Sequence, residues 1–426
     1  MNQAESERLG ALLDAWGMSS TKDPRQADLI LLNSCVVRQS AQDRVTGRLD
    51  ALKELKAERT ELAVAVTGCL VDGNTDQLGR RYPQVDAFFK AGAFDQFREW
   101  ARERGFDGHA VEVRPSGSVT AFVPIIEGCD NFCTYCIVPY RRGRQRSRSL
   151  ADIVQEVSRL ADDGTKEVTL LGQNVNAYGH DLFPAIDLAD LLTELNRVKL
   201  ERIRFLTSHP RDMTPRAIAA VAELDRVCPH MSLPLQAGDD DILAAMKRGY
   251  SADDYRRLIA DIRKAIPDVG ISTDIIVGFP GETDAQFQHT CDMVGELRFD
   301  TVHVASYSPR PGTFAARKLK NDVPSPEKKQ RQRTVEALQE TIATEVNAAL
   351  MGRTVEILVE GRSAGRWSGR TRNNKLVFFE DGGEWLGKLA CVKIGQTGPW
   401  WLTGTIVPDC EGRAYDFVPS PLRGEG

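Results

Sequence analysis

Six short apolar runs, at 121–126, 168–172, 203–207, 231–235, 271–277 and 302–307, begin 28 to 47 residues apart. That interval has room for a strand, a turn and a helix, so the segment between 121 and 307 has to alternate β and α, with its strands parallel. The first interval shows its helix directly. Leu150, Ile153, Val154, Val157, Leu160 and Ala161 follow the i, i+3, i+4, i+7 spacing of a single apolar face. Six such units predict a partial (βα)6 barrel, with its chemistry at the C-terminal ends of the strands.

Two smaller regions flank it. Helical periodicity at 5–16 and strand patterns at 29–32 and 62–66 predict an amino-terminal doubly wound α/β domain. Both strands run into a cysteine, in Asn33-Ser34-Cys35 and Thr67-Gly68-Cys69. Open α/β sheets bind ligands at that edge, so the two thiols are expected to be neighbours. A Gly/Ser/Pro-bearing stretch at 113–118 reads as a linker. Pro324 and Pro326 introduce a helical stretch at 327–350. Beyond it, alternating segments at 355–359 and 376–379, separated by Gly, Asn and Arg, predict a small β-barrel. The expected domains are 1–105, 115–345 and 348–408, followed by a loosely ordered tail at 411–426.

The sharpest chemical signal follows the first barrel strand: Cys129-Asp130-Asn131-Phe132-Cys133-Thr134-Tyr135-Cys136. Three thiolates at this spacing can hold three irons of a four-iron four-sulfur cluster and leave the fourth iron open. An open iron can chelate S-adenosylmethionine, whose one-electron reductive cleavage gives a 5′-deoxyadenosyl radical. The alternative is a structural zinc site, which needs a fourth Cys or His, and the next histidine is His180. Nine cysteines in a chain whose first residues include Glu5, Glu7 and Asp14, unlike a secretory signal, favour ligation over disulfides. Taken alone, Cys35 and Cys69 read as packed thiols, and Cys228, Cys291, Cys391 and Cys410, lacking any ligand spacing, as inert ones. No run reaches the roughly 18 apolar residues of a membrane span, so a cytoplasmic protein without membrane contact is expected.

The run from Gly128 to Arg144, with Ile137-Val138-Pro139-Tyr140-Arg141-Arg142-Gly143 after the cysteines, resembles the signature of the radical S-adenosylmethionine methylthiotransferases. The likeness covers nearly the whole chain. Asn33-Ser34-Cys35-Val36-Val37-Arg38 and Thr67-Gly68-Cys69 resemble that family's amino-terminal domain, which implies that Cys35 and Cys69 bind an auxiliary cluster. Val359-Glu360-Gly361 and Gly369-Arg370-Thr371 are similar to the TRAM RNA-binding barrel. Leu170-Leu171-Gly172-Gln173-Asn174 and Leu233-Pro234-Leu235-Gln236-Ala237-Gly238 look most like the branch acting on N6-isopentenyladenosine beside the tRNA anticodon.

The resemblance implies two four-iron four-sulfur clusters, with Cys129, Cys133 and Cys136 on the first, and S-adenosylmethionine contacted by Gln173, Asn174, Gln236 and Asp274. It implies tRNA as partner, with a sulfur donor and an electron donor the sequence does not identify, and a monomer is expected. The alternatives are a methylthiotransferase of threonylcarbamoyladenosine tRNA and a non-catalytic, metal-containing RNA-binding protein. The family pattern also continues upstream of Met1 with a strand and a cysteine, so a native start upstream is expected, leaving the auxiliary cluster one ligand short here.

Three further readings concern charge. The net charge of −5 excludes attraction of RNA by the whole surface and requires local basic patches. Arg141, Arg142, Arg144, Arg146 and Arg148 are either a solvated face or contacts for phosphate and cofactor carboxylate. Residues 351–405 hold eight basic and five acidic side chains, and their Trp367, Phe378, Phe379, Trp385, Trp400 and Trp401 either stack on bases or fill a core. Removal of 351–426 is accordingly expected to weaken tRNA binding and spare cofactor cleavage. His209 and His230, which flank strand ends, read as structural.

Overall fold

The computed structural model describes residues 1–36, 39–71, 74–106 and 118–408. Residues 113–117 of the expected linker, Val37, Arg38, Cys410 and the expected tail lie outside the described residues. The chain forms two compact units. One consists of Met1–Ser118, Glu127–Arg146 and Ser308–Arg317; the other of Val119–Ile126, Ser147–Tyr307 and Lys318–Gly426.

In the first unit, β1 (Leu29–Ser34), β2 (Ala63–Gly68) and β3 (Ala87–Phe89) are parallel and adjacent in that order. Alternate side chains serve opposite faces. Leu29, Leu31 and Ala65 pack with the helices Asn2–Ala15 and Phe94–Glu103, and Ile30, Leu32, Val64 and Val66 with Gln39–Glu58 and Thr75–Arg81. With helices on both faces, β2 is buried along its whole length.

In the second unit, β4 (Thr120–Pro124), β5 (Glu167–Leu171) and β6 (Arg202–Phe205) form one parallel sheet. The strands β7 (His230–Ser232), β8 (Gly270–Val277) and β9 (Thr301–Ser306) form another. Backbone bonds from Cys228 N to Ile203 O, 2.8 Å, and Ser208 N to Ser232 O, 3.1 Å, join β6 to β7. The six expected strands are thus present as a partial barrel. The helix Leu150–Asp162, capped by Ser149, buries the Ile153, Val157 and Leu160 face that its periodicity predicted. A 24-residue helix, Ser325–Ala348, with Pro326 in its first turn, adds Val335 and Ile342 to the same core.

The last domain is a closed barrel of β10 (Thr354–Ser363), β11 (Arg366–Thr371), β12 (Leu376–Phe379), β13 (Leu389–Thr397) and β14 (Leu402–Val407), in spatial order β10-β11-β12-β14-β13. Trp367 and Phe379 are buried in its core, whereas Trp400 and Trp401 are 50% and 39% exposed. Cys391, expected to be an inert thiol, is disulfide-bonded. Cys228 and Cys291 are free and buried. Among the described residues no helix is long and apolar enough to cross a membrane.

The turn between β11 and β12 enters the N-terminal end of the six-stranded barrel. Arg204, buried at 4% exposure, donates to Glu167 at 2.8 Å and to the carbonyls of Arg372 and Thr371, both at 2.7 Å. Arg202, fully buried, reaches the Arg370 carbonyl at 2.6 Å and Glu356 at 3.1 Å. In the other direction, Arg372 donates to the carbonyls of Asp225 and Val227, and Lys375 pairs with Asp300. Gly270, the first residue of β8, lies so close that an added Cβ would sit 2.4 Å from Asn373 O. Arg372 and Lys375, read as cations for RNA, are therefore engaged inside the protein.

His230 starts β7, beside Asn374 of this turn. Burial, then Arg204, hold its pKa at about 3, against about 6.5 in an unfolded chain. Below pH 6.5 the unfolded state takes up a proton that the folded state refuses, so stability falls as pH drops from 6.5 toward 3. The slope approaches about 1.4 kcal/mol per pH unit for this one group. Melting curves between pH 7.5 and 4.5 are expected to show a shallower decline for His230→Gln than for the parent. Equal slopes would remove His230 from the account.

Candidate cluster and cofactor site

The cysteine loop is fixed by its backbone before any ligand is considered. Gly128 has φ +77°, and a Cβ there would lie 2.1 Å from the carbonyl oxygen of Arg144. Cys129 N donates to Gly143 O at 3.3 Å, and Asp130 receives Arg144 Nε at 2.7 Å, Arg144 Nη2 at 3.0 Å and Gln145 N at 3.0 Å. These bonds close the loop on itself. Phe132, at φ +48°, lies under the Arg144 guanidinium, 5.5 Å from its ring centroid, and edge-on to Tyr140. Cys136 N donates to Cys133 O at 3.0 Å, and the short helix Val138–Arg142 follows. Cys133 is buried; Cys129 and Cys136 are half-buried.

Because Gly128 has neither the space nor the φ for a side chain, Gly128→Ala is expected to open the loop, at a cost above the 1–2 kcal/mol of the left-handed backbone alone. Iron and sulfide content after anaerobic reconstitution should fall at least severalfold. Full occupancy in the variant would show that loop closure does not matter.

The strand-end thiols lie in the same unit. Ser34 pairs with Gly68 across β1 and β2, and Cys69 N donates to Ser34 O at 2.9 Å, so Cys35 and Cys69 leave adjacent strand ends as expected. Burial pushes the Cys69 thiol up, and Arg142 beside it pulls the other way. Arg310, from the segment after β9, donates to Val36 O at 3.2 Å, next to Cys35. Further along that segment, Ala315 N donates to Thr134 O at 2.8 Å, inside the cysteine loop.

The arginine run divides between a buried Arg142 and the largely solvent-exposed Arg144 and Arg146, whose side chains are 75% and 80% exposed. Arg142 pairs with Glu5 and Glu127, Arg144 with Asp130, Arg146 with Glu127 and Arg148 with Glu156. Only charge was visible in the sequence; the partners were not.

At the C-terminal strand ends of the second unit, the expected cofactor contacts come together in part. Gln236 and Asp274 are adjacent, with Gln236 N donating to Asp274 O at 2.8 Å. Gln173 and Asn174 follow β5, and Asn174 Nδ2 donates to Asp212 at 2.6 Å. Four buried atoms here have no hydrogen-bond partner: Asn174 Oδ1, Ser208 Oγ, His209 Nε2 and Gln236 Oε1. Comparable atoms occur elsewhere among the described residues, such as His230 Nδ1 and Arg202 Nε at the opposite end, so these four are atoms that a polar ligand at the strand ends would satisfy. His209, read as a satisfied structural residue, has one nitrogen left over. Burial, with Arg248 adding to it, lowers its pKa to about 3 and keeps the ring neutral. His230, grouped with it in the sequence, lies at the opposite end of the barrel.

Among the described residues, no three or more His, Cys, Asp or Glu side chains converge as the ligands of one metal ion do. The three-thiol loop has the ligand number of a four-iron cluster with one open iron, whereas a structural zinc site needs a fourth ligand.

Comparison with known proteins finds three families along the chain. Residues 123–294 match the Radical SAM superfamily, 1–90 the Uncharacterized protein family UPF0004, and 349–407 the TRAM domain. In fold the chain is similar to the radical S-adenosylmethionine methyltransferase TsrM of Kitasatospora setae, with TM-score 0.53 and 15% identity over 72% of this chain and 66% of that one. It is also similar to the cobalamin-dependent radical enzyme OxsB, with TM-score 0.52 and 12% identity over 80% of this chain and 60% of that one. The fold and the cysteine loop thus define a radical SAM protein with an added α/β domain and a terminal TRAM barrel. In sequence it is 47% identical over 408 residues, 96% of each chain, to the tRNA-2-methylthio-N(6)-dimethylallyladenosine synthase of Dehalococcoides mccartyi (strain CBDB1). A relative of the same name from Roseiflexus sp. (strain RS-1) is 47% identical over 95% of this chain and 87% of its own. The chain belongs to the tRNA-2-methylthio-N(6)-dimethylallyladenosine synthase family.

Proposed function

We propose that this protein is a radical transferase that replaces the C2 hydrogen of N6-isopentenyladenosine, next to the tRNA anticodon, with a methylthio group. The observation that carries the reading is the gathering, in one compact unit, of the loop of Cys129, Cys133 and Cys136 with the strand ends of Cys35 and Cys69. Cys129, Cys133 and Cys136 hold the radical cluster, and Cys35 and Cys69 contribute to an auxiliary one that carries the sulfur. When bound, the first cluster and S-adenosylmethionine supply one-electron chemistry able to take hydrogen from unactivated carbon. Gln173, Asn174, Gln236 and Asp274 contact the cofactor, together with Ser208 and His209, whose unpaired atoms lie at the same strand ends. The neutral His209 would offer a hydrogen bond to a polar cofactor without adding positive charge to the site. The terminal barrel meets tRNA through its exposed Trp400 and Trp401 rather than through Arg372 or Lys375. The reaction takes place in the cytoplasm and draws on one S-adenosylmethionine for the radical that takes the C2 hydrogen, a second for the methyl group, an electron donor and a sulfur donor.

Nucleoside analysis of tRNA from cells lacking this protein tests the reading. Loss of the methylthio mark on isopentenyladenosine is the expected result. Its loss on threonylcarbamoyladenosine instead would refute the substrate. Failure of the iron-loaded protein to form 5′-deoxyadenosine would point to a non-catalytic RNA-binding role.

A further inference from the structure

Arg142 sits six residues past Cys136, yet its partners come from the amino-terminal helix. Its side chain is 3% exposed and that of Glu5 7%. Nη1 donates to Glu5 Oε1 at 2.7 Å and to Glu127 Oε1 at 3.3 Å, and Nη2 donates to Asn2 Oδ1 at 3.1 Å. Asn2 in turn donates through Nδ2 to Ser34 O at 2.6 Å, the carbonyl that also receives Cys69 N. Glu127 is shared with Arg146, whose side chain is 80% exposed, so the buried part of the set is Arg142 with Glu5. Removing either member of that buried pair leaves the other as an unpaired charge.

We propose that Arg142 is a positioning residue. It fixes the helix Asn2–Ala15 and the strand ends carrying Cys35 and Cys69 in one register against the loop carrying Cys129, Cys133 and Cys136. The role follows from connectivity. One end of Arg142 belongs to the cysteine loop, and its guanidinium ends a chain of hydrogen bonds running through Asn2 and Ser34 to Cys69. Glu5 is its principal anchor, with the shortest bond of the set and almost no access to water. Arg310 and Ala315 brace the same two parts through Val36 and Thr134, so losing Arg142 alters the register without unfolding the unit. The functional consequence rests on the methylthiotransferase reading, in which a sulfur held at Cys35 and Cys69 has to meet a radical generated at the other loop.

The test uses Glu5→Gln and Arg142→Gln, with Arg142→Lys as the conservative comparison, and reads two properties. In the metal-free full-length chain, amide hydrogen exchange is expected to quicken at least tenfold in both 2–15 and 129–142 in either Gln variant. Arg142→Lys should recover part of that protection. Protection lost in only one of the two segments, or in neither, overturns the proposal. In reconstituted protein, Glu5→Gln is expected to form 5′-deoxyadenosine within about twofold of the parent while methylthiolated tRNA falls at least tenfold. An unchanged ratio of the two products overturns the positioning role. If the parent itself forms neither product, the reaction assignment fails, and the exchange measurement still decides whether Arg142 holds the two parts together.

Discussion

A chain ending at residue 350 is expected to lose its folded radical barrel as well as its grip on RNA. The cause is the turn that enters the barrel from below. Arg204 is almost entirely buried, and two of its three acceptors are the carbonyls of Arg372 and Thr371; Arg202 likewise depends on Arg370 and Glu356. Deleting the terminal barrel removes these acceptors and leaves two guanidinium groups facing an emptied cavity. Breaking one buried charged set costs about 3–5 kcal/mol, against a total stability of about 5–15 kcal/mol for an ordinary domain. Two such losses total about 6–10 kcal/mol and take up most of that margin. The truncated chain should therefore fail to melt cooperatively and should form no 5′-deoxyadenosine. In the full-length chain, Arg204→Ala, which strands Glu167, should lower the melting temperature by several degrees. A truncated chain that melts like the parent and cleaves S-adenosylmethionine normally would restore the expectation drawn from sequence, that the last domain is dispensable for cofactor chemistry.

Replacing Cys133 with alanine should abolish cofactor cleavage while leaving the fold in place. Three thiolates are the fewest that hold a four-iron cluster with one iron open, so the loss of one leaves a second iron without its protein ligand. Hydrogen bonds of Asp130 with Arg144 and Gln145, and the tight fit of Gly128 against Arg144, close the loop, so its backbone is expected to survive the substitution. The expected result is a melting temperature within a few degrees of the parent, loss of the cluster's visible absorption, and 5′-deoxyadenosine formation down by about three orders of magnitude or more. Cleavage at the parent rate would end the assignment of this loop to the radical cluster.

How much of this was legible in the sequence depended on how local each cause was. The six barrel strands could be read because helices cover their outer face and the barrel interior encloses the other, leaving continuous apolar runs, and the helix Leu150–Asp162 because its buried face repeats every turn. β3 could not, since three residues, Ala87 to Phe89, are too few to show a period. The cysteine loop was legible because its ligand pattern is contained within eight residues. Arg142 was not, because Glu5 lies 137 positions away and nothing local distinguishes a buried guanidinium from a solvated one. The same holds for Arg372 and Lys375, whose positive charge was plain but whose acceptors come from the other domain of the chain. His209 and His230 looked equivalent beside their strands; only the direction of the strands separates a ring at the reactive end from one at the sealed end.

That sealed end also sets a length. Asn373 abuts Gly270 at the start of β8, while Asp274 and the unpaired atoms lie toward the other end of the strands. Eight residues of strand rise about 23 Å from first to last at roughly 3.3 Å each. The last domain is anchored at the first residue of this strand, and Asp274 stands four residues further along it, about 13 Å away. The contact that holds the last domain therefore takes up the closed end of the strands and leaves their other end open.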